Sequence, residues 1–232
     1  MMDLNNIFEK IKNAKVEICK NDINLPTGDI VGVTGFGVCE NNDYSENSYR
    51  YYLEFNIDKP LSKKGTLISI LMNPSNKTNP NKNIDGTIQN VIKMAYIVGY
   101  SKVVILNSFA LIQSNGNLAE KNFEDNNFEK LNKKFIKEFI NKNSDKDILC
   151  AWGTKSKIAD LEFVNKSLKN KFVYSITKKD FPRHSSPYNY KKVNEFILEQ
   201  NKQDIKARTF TKISGIKPNG KVEKQWRKFN EV

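Results

Sequence analysis

The chain of 232 residues carries 38 Lys or Arg against 26 Asp or Glu, a formal net charge of +12, with 38% hydrophobic and 28% charged residues. That length suits one substantial core with an appendage, and no stretch approaches the roughly twenty apolar residues of a membrane helix, so the composition points to a water-soluble protein. The opening MMDLNNIFEKIKNAK breaks its apolar positions with charge, unlike an export signal. Cys19, Cys39 and Cys150 are too scattered for a CxxC metal or redox motif.

These features set the expectation of a cytoplasmic protein with reduced thiols, no metal and no cofactor. The cationic surplus favours a polyanionic partner, with nucleic acid, and DNA in particular, the first candidate. The plain alternative is a solvated, lysine-rich surface in a chain that is also rich in Asn and Ile.

In chain order, residues 1–20 have the spacing of a short amphipathic helix. DIVGVTGFGVC, from Asp29 to Cys39, reads as a strand region broken by glycines at turns or bulges, because no helix opens after the glycines to make them a phosphate loop. The aromatic and β-branched residues from Ser48 to Ile57 predict another strand. TLISILM is a continuous apolar run of buried-strand length that stops at Asn73-Pro74. A helix is predicted from Asp85, with Ile88, Val91, Ile92 and Ala95 on one face and Gly99 at its end.

KVVILN predicts a second buried strand, Phe128, Leu131, Phe135 and Phe139 a longer helix, and ILCAW a third strand ending at Trp152-Gly153. Ile158, Leu161 and Leu168 mark a further helix, FVYSI a fourth strand, and Tyr190 to about Gln200 a last helix. Strands alternating with helices imply right-handed crossovers. The expectation is therefore an α/β domain over residues 1–200, a three-layer αβα sandwich with a mostly parallel central sheet. Residues 201–232 hold nine Lys or Arg and three Asp or Glu, half of the net charge, and read as a basic C-terminal extension or β-hairpin turning at Asn219-Gly220.

Ligands of such sheets bind beyond the carboxyl ends of the strands. Asn73, Asn107, Trp152-Gly153 and the loop of His184 all fall there. His184, the only histidine, sits in FPRHSSPYN, a Pro-bounded polar loop beside Arg183, where an imidazole could donate to an oxygen on which charge develops or shuttle a proton. Asn73 and Asn107 are each the first polar residue after an apolar strand. They are either turn residues capping the backbone or two amides presented to one ligand, suited to a nucleobase edge or to holding a water. Asp85 and Thr87 of NIDGT are the nearest candidate carboxylate and hydroxyl, with a helix N-cap as the competing role for Asp85.

LMNPS at 71–75, DGT at 85–87, AWG at 151–153 and PRHSSPY at 182–188, in that order, resemble the uracil-DNA glycosylase superfamily. They are more similar still to an uncharacterised bacterial and phage family with an LNPS segment, an Asp-x-Thr, an Ala-Trp-Gly and a terminal Arg-His-Pro. The resemblance implies an N-glycosylase acting on a damaged or modified base. Asn73 would position the attacking water, Asn107 would read the base edge, and His184 would stabilise the charge of the departing base. Tyr188 would enter the duplex as a wedge when the target nucleotide is extruded.

Pro74, Ser75, Thr87, Trp152, Gly153, Arg183 and Ser186 would border the same pocket. Ser75 and Ser185 depart from the superfamily pattern, and no stacking aromatic stands between Ser75 and Thr87. A neutral Asn73 in place of a carboxylate, together with that missing aromatic, keeps open a second reading: a catalytically silent nucleic-acid or nucleotide-binding module that retains the pocket.

Overall fold

The computed structural model describes residues 2–14, 21–79, 83–115, 126–154, 171–174, 180–217 and 220–224. The described helices are α1 (Leu4–Asn13), α2 (Gly86–Val98), α3 (Asn127–Lys142) and α4 (Tyr190–Asn201). The strands are β1 (Asn21–Asn24), β2 (Ile30–Cys39), β3 (Arg50–Ile57), β4 (Thr66–Leu71), β5 (Lys102–Asn107), β6 (Asp147–Cys150), β7 (Lys171–Val173), β8 (Thr211–Ile216) and β9 (Val222–Lys224). The helix expected around Ile158, Leu161 and Leu168 lies outside the described residues, as do Cys19 and Asn219.

Local chemistry fixes the element that matters most for the site. Asp85 caps α2, its Oδ1 accepting from the backbone N–H of Thr87 at 2.7 Å and of Ile88 at 3.0 Å. Gly99 ends the helix in the left-handed region at φ 98°, where its N–H returns to the Ala95 and Tyr96 carbonyls. β4 and β5 are buried along almost their whole length and pair in parallel, with Leu71 opposite Asn107 at their carboxyl ends.

The nine strands form one sheet in the order β1-β2-β3-β5-β4-β6-β7-β8-β9. β5, β4, β6 and β7 run parallel, but all the remaining neighbours are antiparallel. The expected sandwich with a mostly parallel sheet is therefore corrected to a mixed, mostly antiparallel sheet of nine described strands accompanied by four described helices. For the two hairpins the reason lies in the connections. A parallel neighbour needs a crossover of a dozen or more residues, whereas β2 turns into β3 through a short loop containing the single 3-10 turn Glu40–Asn42, and β8 turns into β9 within five residues. The C-terminal segment expected to extend from the domain supplies two strands of this sheet.

The glycine-rich 30–39 segment is one continuous strand. A Cβ on Gly35 would lie 2.4 Å from the Phe55 ring and 2.6 Å from the Glu54 carbonyl, so close strand packing requires glycine there.

Alternate residues along β4 and β5 feed two cores on opposite faces. Ile68, Ile70, Val104 and Leu106 pack with Ile7 of α1 and with Phe135 and Phe139 of α3. Leu67, Leu71, Val103 and Ile105 pack with Ile88 and Val91 of α2 and with Val193 and Ile197 of α4. Phe210, Ile213, Ile216 and Val222 are all buried, so the C-terminal strands are tied into both cores. Among the described residues no helix is long and apolar enough to cross a membrane, and no cluster of His, Cys, Asp or Glu could hold a metal ion.

Candidate functional site

A cavity of about 690 Å³ opens at the carboxyl ends of β4, β5 and β6. Asn73 lies just past β4 and lines it. Its Nδ2 donates to the Pro74 carbonyl at 3.0 Å and to the Gln113 carbonyl at 2.7 Å. Both amide hydrogens are thereby engaged, so what Asn73 keeps for the cavity is an acceptor oxygen. Pro74 does not line the cavity; its carbonyl also receives the Gln113 N–H, which closes the floor.

Asn107 ends β5 and also lines the cavity. It is 1% exposed, and neither Nδ2 nor Oδ1 makes a hydrogen bond. Its main chain is held from behind, the carbonyl accepting from Asn132 of α3 at 3.0 Å. The loop that follows is fixed by Glu129, whose carboxylate receives the Ala110 and Leu111 N–H groups at 3.0 Å. Burial holds the Glu129 carboxyl above its ordinary pKa.

From β6 come Trp152 and Gly153. The Trp152 ring is fully buried in the core and its Nε1 donates to the Gly220 carbonyl at 3.0 Å, so this side chain anchors the β8–β9 hairpin behind the cavity wall. Gly153 adopts φ +84°, and a Cβ there would come within 3.1 Å of the His184 Cβ. Only glycine combines that backbone with so close an approach by the histidine.

The His184 loop is moored to α2 and to itself. Asn90 Nδ2 donates to the Ser185 carbonyl at 2.9 Å, Pro187 sits over Gly86 where a Cβ would meet it at 2.8 Å, and Asn189 Nδ2 donates to the His184 carbonyl at 2.6 Å. Arg183 braces Asn189 at 3.1 Å and does not line the cavity; Ser186 does. Tyr188 is fully exposed at the rim. Burial lowers the His184 pKa, and the Asp85 carboxylate opposes that shift only in part. The imidazole therefore enters the site neutral, with one N–H donor.

Asp85 and Thr87 line the cavity next to Ser75. Both Asp85 oxygens are engaged, Oδ1 by the helix cap and Oδ2 by the Thr78 hydroxyl at 2.6 Å. The sequence reading missed Arg50, Lys77, Gln113, Ser114 and Thr154, which also line the wall. Arg50, at the start of β3, is 1% exposed, and its Nη1 donates to the carbonyls of Ser75 at 3.4 Å and Thr78 at 3.1 Å. The signal available for it was one guanidinium inside the aromatic run SYRYYLEF, which on its own resembles a strand residue facing water.

Mixed sheet and site together define a protein with helices and a mostly antiparallel sheet, whose cavity, largely apolar with a few polar groups, lies at the carboxyl ends of the central parallel strands. The chain belongs to the family described as protein of unknown function (DUF1643), which it matches over residues 50–205, the span holding every cavity residue named above. No curated protein and no solved structure matches it.

Proposed function

We propose that the cavity receives a nucleobase and that the protein is an N-glycosylase-like hydrolase acting on a damaged or modified base in DNA. The observation that carries this reading is Asn107. A buried amide with both its donor and its acceptor unmet is costly unless a ligand supplies the complementary pair, and a nucleobase edge presents a donor beside an acceptor. The order of the LMNPS, DGT, AWG and PRHSSPY segments, similar to that of the uracil-DNA glycosylase superfamily, supports the same reading.

In the reaction, a water held by the Asn73 acceptor oxygen attacks C1′ of the deoxyribose. The C1′–N bond breaks, and its electron pair leaves with the base. The neutral His184 donates a hydrogen bond to the base oxygen on which charge collects. The water's proton ends on the departed base and its hydroxyl on the sugar, so no redox partner or cofactor is needed. Tyr188 at the rim and the cationic surface are suited to holding extruded DNA.

A second reading is favoured by Asp85. With both oxygens hydrogen-bonded, it is poorly placed to act as a general base, which suits a catalytically silent module that binds nucleic acid or nucleotides. Incubation with duplex and single-stranded oligonucleotides bearing uracil, damaged bases or modified bases, followed by alkaline cleavage, separates the two. Abasic-site formation that His184→Ala slows by about a hundredfold or more is the expected result. Tight binding of every substrate without strand cleavage would transfer the assignment to the binding module.

A further inference from the structure

Arg50 does more than pin a loop. A guanidinium has five N–H donors in a planar fork, and the two carbonyls that fix the 75–78 segment use only Nη1. The opposite edge, Nε with Nη2, is left over. Nε is fully buried without an acceptor, Nη2 has no hydrogen-bond partner, and among the described residues the cation has no ion-pair partner. A purely structural arginine would be expected to meet a carboxylate or a second pair of carbonyls, because an unmet charged donor in a dry site costs more than a neutral one.

The surroundings are unbalanced in the same direction. Asp85, the carboxylate lining this wall, accepts from Thr87, Ile88 and Thr78; it keeps its charge and acts on Arg50 through space, but makes no ion pair with it. Lys77 and the first residues of α2, the positive end of that helix, line the same cavity. With two cations, Arg50 and Lys77, against the single Asp85 carboxylate, which also caps the helix, the cavity lining is net positive, and the fork geometry of the free guanidinium edge fits two oxygens of one oxyanion.

We propose that the Nε–Nη2 edge of Arg50 is the oxyanion receptor of this site: the ligand is a nucleobase or nucleotide carrying a carboxylate or a phosphate that docks bidentately there. The inference rests on the nucleobase reading of the cavity and narrows its substrate class to acidic members. Base-borne and sugar-borne oxyanions share this chemistry, and the test tells them apart.

Titration calorimetry at fixed ionic strength compares uracil with its 5- and 6-carboxylates, and deoxyuridine with deoxyuridine 5′-monophosphate, with parallel cytosine and adenine series and with inorganic phosphate and benzoate as probes lacking a nucleobase. The expected result is that an acidic member binds about ten- to a hundredfold tighter than its neutral counterpart. An advantage confined to carboxylated bases places the oxyanion on the ring, and one confined to monophosphates places it on the sugar. Arg50→Lys, which keeps the charge and loses the fork, and Arg50→Met should both erase most of that advantage, lowering the acidic member's affinity far more than the neutral member's.

The wild-type comparison stands even where those variants do not fold. Equal binding of neutral and acidic members overturns the proposal and leaves the nucleobase reading intact. Arg50-dependent binding of phosphate or benzoate with no binding of any base or nucleotide keeps the receptor and removes the nucleobase. Silence from every probe overturns both.

Discussion

His184 enters the site uncharged because burial disfavours the imidazolium, and that preference is also a stability term. The unfolded chain takes up a proton near pH 6.5 while the folded chain resists it, so the unfolded state binds more protons below that pH. Stability should therefore fall as pH drops from about 7.5 to 5.5. His184→Gln should remove that portion of the slope, which paired denaturant melts at the two pH values will read directly.

In the oligonucleotide assay, His184→Ala should lower turnover by a factor on the order of a hundred or more while leaving substrate affinity nearly intact, as loss of one transition-state donor does. Asn107→Ala should act differently, relaxing discrimination among bases, because a pocket that hydrogen-bonds one edge rejects others by leaving groups unpaired. Comparable loss of binding in both variants, with no catalysis to lose, would identify a binding module instead. Gly153→Ala forces a side chain into the left-handed region, at about 1–2 kcal/mol, and pushes on the His184 Cβ. It should cost both stability and activity, and the ratio of the two losses measures how far the histidine has moved.

The elements that carry the site differ in how plainly their residues announce them. TLISILM and VVIL are largely apolar runs, each followed by asparagine, as suits a strand buried on both faces. Asp85 and Gly99 bracket α2 by their own capping chemistry. The convergence of Asn73, Asn107, Gly153 and His184 follows from those run-ends, and the cavity gathers them.

Strand direction outside the parallel core was not legible. Periodicity gives a strand's faces but neither its neighbour nor its orientation, and NDIN of β1 is too short and polar to stand out. Arg50 was hidden for a related reason, since what makes it a cavity residue is the 75–78 loop folding over it from 25 residues away. The mooring of the histidine loop to α2 is likewise a long-range fact, made by Asn90 across 95 residues. Asn90→Leu removes that donor and leaves the Ser185 carbonyl unmet. It should reduce catalytic turnover more than global stability, which activity and thermal unfolding measured on one preparation can compare.

For the molecule as a whole, the C-terminal segment is both strongly cationic and a structural part of the sheet. Phe210, Ile213, Ile216 and Val222 are buried, each contributing on the order of 1.5–3 kcal/mol of transfer free energy. Together they are comparable with the entire stability of an ordinary domain, about 5–15 kcal/mol. Truncation after residue 200 should therefore unfold the protein and cannot serve as a test of nucleic-acid binding. Replacing the exposed Lys202, Lys206 and Lys217 with Gln keeps the strands. If these lysines meet phosphates, the plot of log affinity for DNA against log salt should flatten by about one unit for each phosphate no longer neutralised. An unchanged slope would assign the phosphate-binding role to another face.

The hydrogen bond from Trp152 to Gly220 also sets an order of events during translation. Every cavity residue from Arg50 to Tyr188 is synthesised before the carbonyl that Trp152 binds. The outer neighbour of three-residue β7 is made later still than the histidine loop. A chain cut short at residue 205 holds the whole recognisable family segment yet lacks β8 and β9, leaving the edge of β7 bare and open to a chaperone or to another chain. Arrest-peptide force profiling should accordingly register the folding event only once residues up to 224 have cleared the exit tunnel.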